Sequence, residues 1–228
     1  MFDESCEVLI LGATFSAAGL LAAAGAQAMV LESRPDAGYE FFGALRSLYG
    51  KEAEPKSAPA RALREKFARR DSLRACAPLF YACLRDQRVL LSTRVLACER
   101  LAEGFVVTIC NASGESRIFA RYLVDTRAEE RYIAEKRLNL LFLSGRMASL
   151  PMPADADMTE ARRRLADALP ALAGEDRVAA VADEFDVVLT DFRTLEYDGI
   201  VRLPSAGYAD PISAFDAGAL LGEELLGR

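Results

Sequence analysis

The chain has 228 residues, with 28 Lys and Arg against 34 Asp and Glu and a formal charge of −6. At roughly one and a half times the usual ~150-residue domain, it accommodates one large domain or a main domain with a small insertion, and excludes a multidomain assembly. A composition 52% hydrophobic and 27% charged excludes a disordered or fibrous chain, and the acidic balance argues against nucleic acid or an anionic membrane as a partner.

The sequence contains no histidine. This removes Ser-His-Asp and Cys-His catalysis, imidazole metal sites and the usual neutral-pH acid and base together, and no metal site is expected. The five cysteines Cys6, Cys76, Cys83, Cys98 and Cys110 form no CxxC pair, so reduced, mostly buried thiols are expected rather than a redox dithiol. The first apolar run follows Asp3, Glu4 and Glu7 rather than a basic segment, and no stretch reads as a spanning helix. The expected compartment is the cytoplasm.

In chain order, Val8, Leu9, Ile10 and Leu11 form a short apolar run that fits a central parallel strand covered on both faces. A glycine turn, an Ala- and Leu-rich helix ending at Gly25, a second apolar strand and then Glu32 complete a βαβ opening. Gly12, Thr14 and Ala17 occupy the three positions of a dinucleotide fingerprint, which asks for Gly, Gly, and Gly or Ala. The first makes the tight turn, the second lets backbone approach the pyrophosphate, and the third lets helix pack on strand. Thr14 departs, placing a side chain where phosphate approaches and a hydroxyl able to donate to it. Glu32 lies 20 residues beyond Gly12, where an acid accepts from ribose hydroxyls. Cofactor contacts are expected along Gly12, Thr14, Phe15, Ser16 and Ala17, and at Glu32, Ser33 and Arg34.

Residues 35–59 read as an irregular surface crossing, and two helices are expected at 60–69 and 72–85, the second capped by Ser72 with Cys76 and Cys83 on one buried face. The period then changes to two: residues 94–121 predict a β-meander around Asn111 and Gly114. Strands at 138–143 and 185–190 flank an Arg-rich helix at 159–169 with a solvated face, and the chain closes on a strand, a turn with Pro211, and a helix to Leu226. The fold class is thus α/β, a Rossmann-like parallel central sheet with a β-meander and a small inserted cap. The expected boundaries are 1–128 and 199–228 for the nucleotide-binding domain and 129–198 for the cap.

Together, the βαβ with its terminal acid, the strands of VLLSTRVLACERLAEGFVVTI, the segment RYLVDTRA and the closing YADPISAFDAG helix resemble FAD-dependent oxidoreductases of the glutathione-reductase-like, two-dinucleotide-binding fold. The resemblance covers residues 5–127 and 198–228 and suggests a reduced or degenerate member, because Arg127 stands where that family has Gly and the interval to Gly199 is short. It implies FAD as cofactor, with Val95 passing the adenine and Thr126 and Arg127 closing the first nucleotide unit. It further implies that Asp210, Pro211 and Ile212 lead the backbone past the ribityl chain, with the last helix aiming its N-terminus at the flavin ring. A helix N-terminus stabilises negative charge on reduced flavin. The implied partner is a small-molecule substrate or electron acceptor; oligomerisation with like or unlike subunits stays open, and no catalytic side chain is assigned.

Tyr132 and Lys136 form a YxxxK pair like that of short-chain dehydrogenases, where the lysine lowers the tyrosine pKa. The strand-rich 88–125 region opposes that family, and the expectation is a coincidence on an exposed charged helix. Asp210 has a second reading as the cap of the last helix. Two functions therefore stand: a flavin-dependent oxidoreductase, and a non-catalytic nucleotide- or partner-binding descendant of the same fold.

Overall fold

The structure is a computed structural model that describes residues 2–47, 50–190, 195–197 and 199–227. The last residues of the expected cap, 191–194 and Asp198, lie outside the described residues.

The chain opens with β1 (Glu4–Leu11), α1 (Phe15–Ala24) and β2 (Ala28–Leu31), followed by α2 (Tyr39–Phe42), α3 (Ala58–Phe67) and α4 (Leu73–Leu84). Next come β3 (Val89–Leu90), β4 (Arg94–Leu101), β5 (Gly104–Asn111) and β6 (Gly114–Asp125). A second group contains β7 (Ile133–Phe142), β8 (Met147–Met152), α5 (Met158–Ala173), β9 (Val178–Val181) and β10 (Asp186–Leu189). β11 (Leu195–Tyr197), β12 (Ile200–Arg202) and α6 (Pro211–Leu225) finish the chain.

Five strands run parallel in the order β12-β6-β1-β2-β3, with β11 antiparallel at the β12 edge. The long β6 serves two purposes. Its first half pairs with β5 in the antiparallel β4-β5-β6 meander, and its second half pairs with β12. Because β1 is central it is apolar on both faces, as a strand covered by two layers must be. Val8 and Ile10 join the helical layer of α1, α3, α4 and α6, whereas Leu9 and Leu11 join Met29, Leu31 and the meander residues Phe105, Val107 and Ile109. This is a Rossmann-like α/β fold. The second sheet, in which β8, β9 and β10 all pair antiparallel with β7, buries its own core of Leu138, Leu140 and Phe142 against α5.

The crossing of α1 and α6 sets the geometry of the first turn. A Cβ on Gly19 would lie 1.8 Å from the Phe215 carbonyl oxygen, and one on Gly218 would lie 1.8 Å from that of Ser16. Two glycines thus let the helix backbones touch.

Three expectations need correction. Residues 35–59 are not all irregular: α2 folds there, between Gly38 (φ +72°) and Gly43, and it anchors Phe41 and Phe42 in the core. Tyr132 and Lys136 are not on an exposed helix. Tyr132 ends a short 3-10 turn and Lys136 is in β7, where the period of two puts it on the buried face with Leu138 and Leu140. The thiols are not mostly buried, since Cys76 is buried, Cys6, Cys83 and Cys110 are half-buried and Cys98 is exposed.

Candidate nucleotide-binding cleft

The candidate site follows from how β1 turns into α1. Gly12 has φ +96°, a conformation an L side chain rarely adopts, and its N–H donates to the Leu31 carbonyl at 2.8 Å. The chain then enters α1 at Thr14, whose extended backbone and hydroxyl make it the N-cap. Its Oγ1 accepts from Ala17 N at 3.2 Å and donates to Thr126 Oγ1 at 2.8 Å. Thr126 in turn donates to the carbonyls of Leu11 and Gly12, each at 3.0 Å, so the ends of β1 and β6 are tied together.

The next two helix donors are served from elsewhere. Phe15 N donates to Glu40 Oε1 at 2.8 Å, and Ser205 Oγ donates to the same oxygen at 2.7 Å while accepting from Ser16 N at 3.3 Å. Aromatic packing puts Glu40 there. The Phe15 ring stacks on Phe80 with centroids 4.1 Å apart and meets both Phe41 and Phe42 at 5.3 Å. Gly38 N also donates to the Ala13 carbonyl at 2.7 Å. With Phe41 and Phe42 anchored, the Glu40 carboxyl group lies at the start of α1. Burial pushes its carboxyl pKa upward, opposed by the bonds from Phe15 N–H and the Ser205 hydroxyl and by the Arg46 charge.

Glu32 stands at the end of β2 and is 2% exposed. Its Oε2 accepts from Ala13 N at 2.9 Å; its Oε1 accepts from Arg34 N at 2.9 Å and from the Ser33 hydroxyl at 3.2 Å. Arg34 lies over the Tyr39 ring at 4.3 Å and forms an ion pair with Glu184, linking the first unit to the second sheet's side. Burial raises the Tyr39 pKa and keeps that phenol protonated. Arg127 makes two bonds to the Asp125 carboxylate, from Nε at 2.9 Å and Nη2 at 2.8 Å, and its stem covers the glycine turn: a Cβ on Gly12 would be 2.6 Å from Arg127 Cγ.

These groups surround a cleft of about 340 Å³ at the C-terminal ends of β1, β2 and β6, floored by Thr14, Glu32, Glu40 and Thr126 and walled by Arg127 and Lys136. Lys136 Nζ donates to the Ala156 carbonyl at 3.0 Å. A larger hollow of about 650 Å³ lies beside the N-terminal half of β1, between Glu7 and the β4-β5 turn. The smaller cleft is the better candidate, because open α/β sheets bind ligands outside the carboxyl ends of their strands.

No family model matches the sequence, and no curated protein matches it. Among solved structures, the chain is similar to aklavinone-11 hydroxylase in a ternary complex with FAD and aklavinone, with 14% identity and a TM-score of 0.65 over 100% of this chain and 64% of that one. It is similar to p-nitrophenol 4-monooxygenase from Pseudomonas putida DLL-E4, at 14% identity and TM-score 0.62, covering 98% of this chain and 80% of that one. A third is anhydrotetracycline hydroxylase from Streptomyces rimosus, at 16% identity and TM-score 0.61, covering 98% and 63%. The chain shares the Rossmann-like α/β fold of these proteins. It spans less than two thirds of two of these three proteins.

Within that fold, the residues present fit the adenosine half of a dinucleotide and do not fit its pyrophosphate in this arrangement. Glu32 lines the cleft at the end of β2; Arg34 and Ser33 occupy its Oε1 and Ala13 one position on Oε2, which leaves one acceptor position on Oε2 for a ribose hydroxyl. The N–H groups of Phe15, Ser16 and Ala17, which a pyrophosphate takes at a helix N-terminus, already donate to Glu40, Ser205 and Thr14.

Of the residues expected from the sequence, Thr14, Glu32, Ser33, Arg34, Thr126 and Arg127 line the cleft together. Gly12, Phe15, Ser16 and Ala17 form its turn, although the Phe15 and Ser16 side chains are buried. Val95 is elsewhere, 37% exposed in the meander and paired with Ile109. Asp210, Pro211 and Ile212 also fall outside the cleft lining. Asp210 caps α6, accepting from Ile212 N at 3.0 Å, Ser213 N at 2.9 Å and Ser213 Oγ at 2.7 Å. Sequence reasoning missed Glu40, Ser205 and the wall residue Lys136 as a cleft group. For Glu40 the available signal was a glycine followed by Tyr39, Phe41 and Phe42, three aromatic residues too many for a solvated loop.

Proposed function

We propose that the chain is a flavin-dependent oxidoreductase that takes up FAD in the cleft at the ends of β1, β2 and β6 and acts on a small-molecule substrate or electron acceptor. The observation that carries this reading is the convergence of the Gly12 turn, the α1 N-terminus and Glu32 on one cleft, in a fold shared along the whole chain with a hydroxylase solved with FAD. In this reading Glu32 holds the adenosine ribose, Thr14 and Thr126 lie beside the phosphates, and the second sheet with α5 forms the cap facing the substrate, whereas β11 stays with the central sheet. Bound FAD would itself supply hydride and electron transfer, chemistry that needs neither histidine nor metal. The protein's task is then to bind and orient. The test is reconstitution with FAD followed by anaerobic reduction with dithionite and with NAD(P)H: a protein-bound flavin spectrum that bleaches and recovers supports the reading, and failure to take up FAD under any condition refutes it.

A second reading, a non-catalytic descendant that binds a nucleotide or a protein partner, is favoured by one observation: the protein's own side chains cap the start of α1. It predicts equal affinity for ADP and FAD, with no gain from the flavin.

A further inference from the structure

The dinucleotide fingerprint does not call for a carboxyl group at the start of α1, and Glu40 puts one there. We propose that Glu40 is a built-in competitor for phosphate: its carboxyl group holds the α1 donors that a pyrophosphate would take, and so sets the affinity of the cleft for phosphate-bearing ligands.

Three observations carry this. First, one carboxyl oxygen satisfies Phe15 N directly and Ser16 N through Ser205, which together with the Thr14 cap accounts for the helix donors of the first turn. An anion arriving at the helix start must displace that oxygen. Second, Glu40 is 6% exposed and lines the cleft, and its other oxygen, Oε2, is buried with no hydrogen-bond partner among the described residues. A buried polar atom left unpaired is costly. The self-capped state is therefore under-satisfied, whereas a phosphate brings several oxygens to the same donors. Third, Glu40 comes from α2, a four-residue helix separate from α1, so its withdrawal leaves the local cap from Thr14 to Ala17 in place. Exchange of carboxylate for phosphate does not require α1 to unwind.

This inference rests on the nucleotide reading of the cleft and adds to it the residue that controls occupancy. The test is calorimetric titration of ADP into the wild-type protein, Glu40→Gln and Glu40→Ala, with a melting curve for each to confirm folding. Glu40→Gln keeps the side-chain size and decides the matter if Glu40→Ala does not fold. ADP affinity is expected to rise about tenfold or more once the competing carboxylate is gone. Equal ADP affinity in wild type and folded variants, including no measurable binding in any of them, overturns the proposal. Parallel FAD titrations separate the two ideas. FAD uptake that is the same in all three proteins removes the competitor and leaves the flavin reading; ADP binding gained by the variants without FAD uptake keeps the competitor and removes the flavin.

Discussion

The N-termini of α1 and α6 meet the same physical demand in different ways. Both helices begin near the crossing where Gly19 and Gly218 bring their backbones into contact, and both must satisfy N–H groups with no partner inside the helix. At α6 the solution is local: Asp210 caps its own helix and binds Ser213, so the acceptor and donors lie within three residues. At α1 the local cap Thr14 serves Ala17 N alone, while Phe15 and Ser16 depend on Glu40 and Ser205, 25 and 189 residues away in sequence. A local cap is part of its helix. A remote cap can be exchanged for a ligand without unfolding the helix it serves.

The largest expected effect breaks both ends at once. Gly19→Ala or Gly218→Ala drives a methyl group into a backbone carbonyl that neither helix can move away from, so a loss of about 3 kcal/mol or more is expected, read as a lower urea midpoint. Retention of wild-type stability would show that the helices can separate. Removing only the local cap has a smaller consequence. Asp210→Ala should cost about 1–2 kcal/mol, while Asp210→Asn keeps most of that stability, and neither should change ADP affinity. A change in ADP affinity on losing this cap would break the distinction between the two helix starts.

The remote cap is expected to respond to pH. Burial raises the Glu40 pKa above its ordinary value of 4.5, so the folded protein holds a proton that the unfolded chain releases more readily. Below that ordinary value both states are protonated and there is no penalty. As pH rises from there through the folded-state pKa, wild type loses stability relative to Glu40→Gln, and the gap then levels off. Melting curves of both proteins from pH 4 upward check this; a gap that shrinks with rising pH contradicts it.

The smallest effect is expected at Thr14. Glycine is nearly as good an N-cap, but Thr14→Gly also removes the buried bond to Thr126, so it should cost about 1 kcal/mol. With Glu40 still in place it should not improve ADP binding, whereas the double variant with Glu40→Gln should bind at least as well as Glu40→Gln alone.

The same local-against-remote division explains what the residue order reveals. The turn at Gly12, the acid at Glu32 and the cap at Asp210 are legible because cause and effect lie within a few residues or at a fixed spacing. The meander is legible from its period of two. Lys136 was misread as a helical residue because Glu135, Lys136 and Arg137 form a charged run, but in β7 alternate positions fall on opposite faces and Lys136 is carried inward with Leu138 and Leu140. Glu40 was not legible as a capping group. Its position depends on Phe15 meeting Phe41, Phe42 and Phe80, contacts that exist only once α1, α2 and α4 have packed. Ser205 is more remote still.

The most direct test of the central claim, that the cleft serves a flavin nucleotide, is side-by-side equilibrium dialysis of the wild-type protein against FAD and ADP. The account predicts that FAD is retained more tightly than ADP, because the flavin half adds contacts beyond the adenosine site, and that the retained FAD can be reduced anaerobically. Retention of neither nucleotide, or equal retention of both, would contradict it and leave a nucleotide fold put to non-catalytic use.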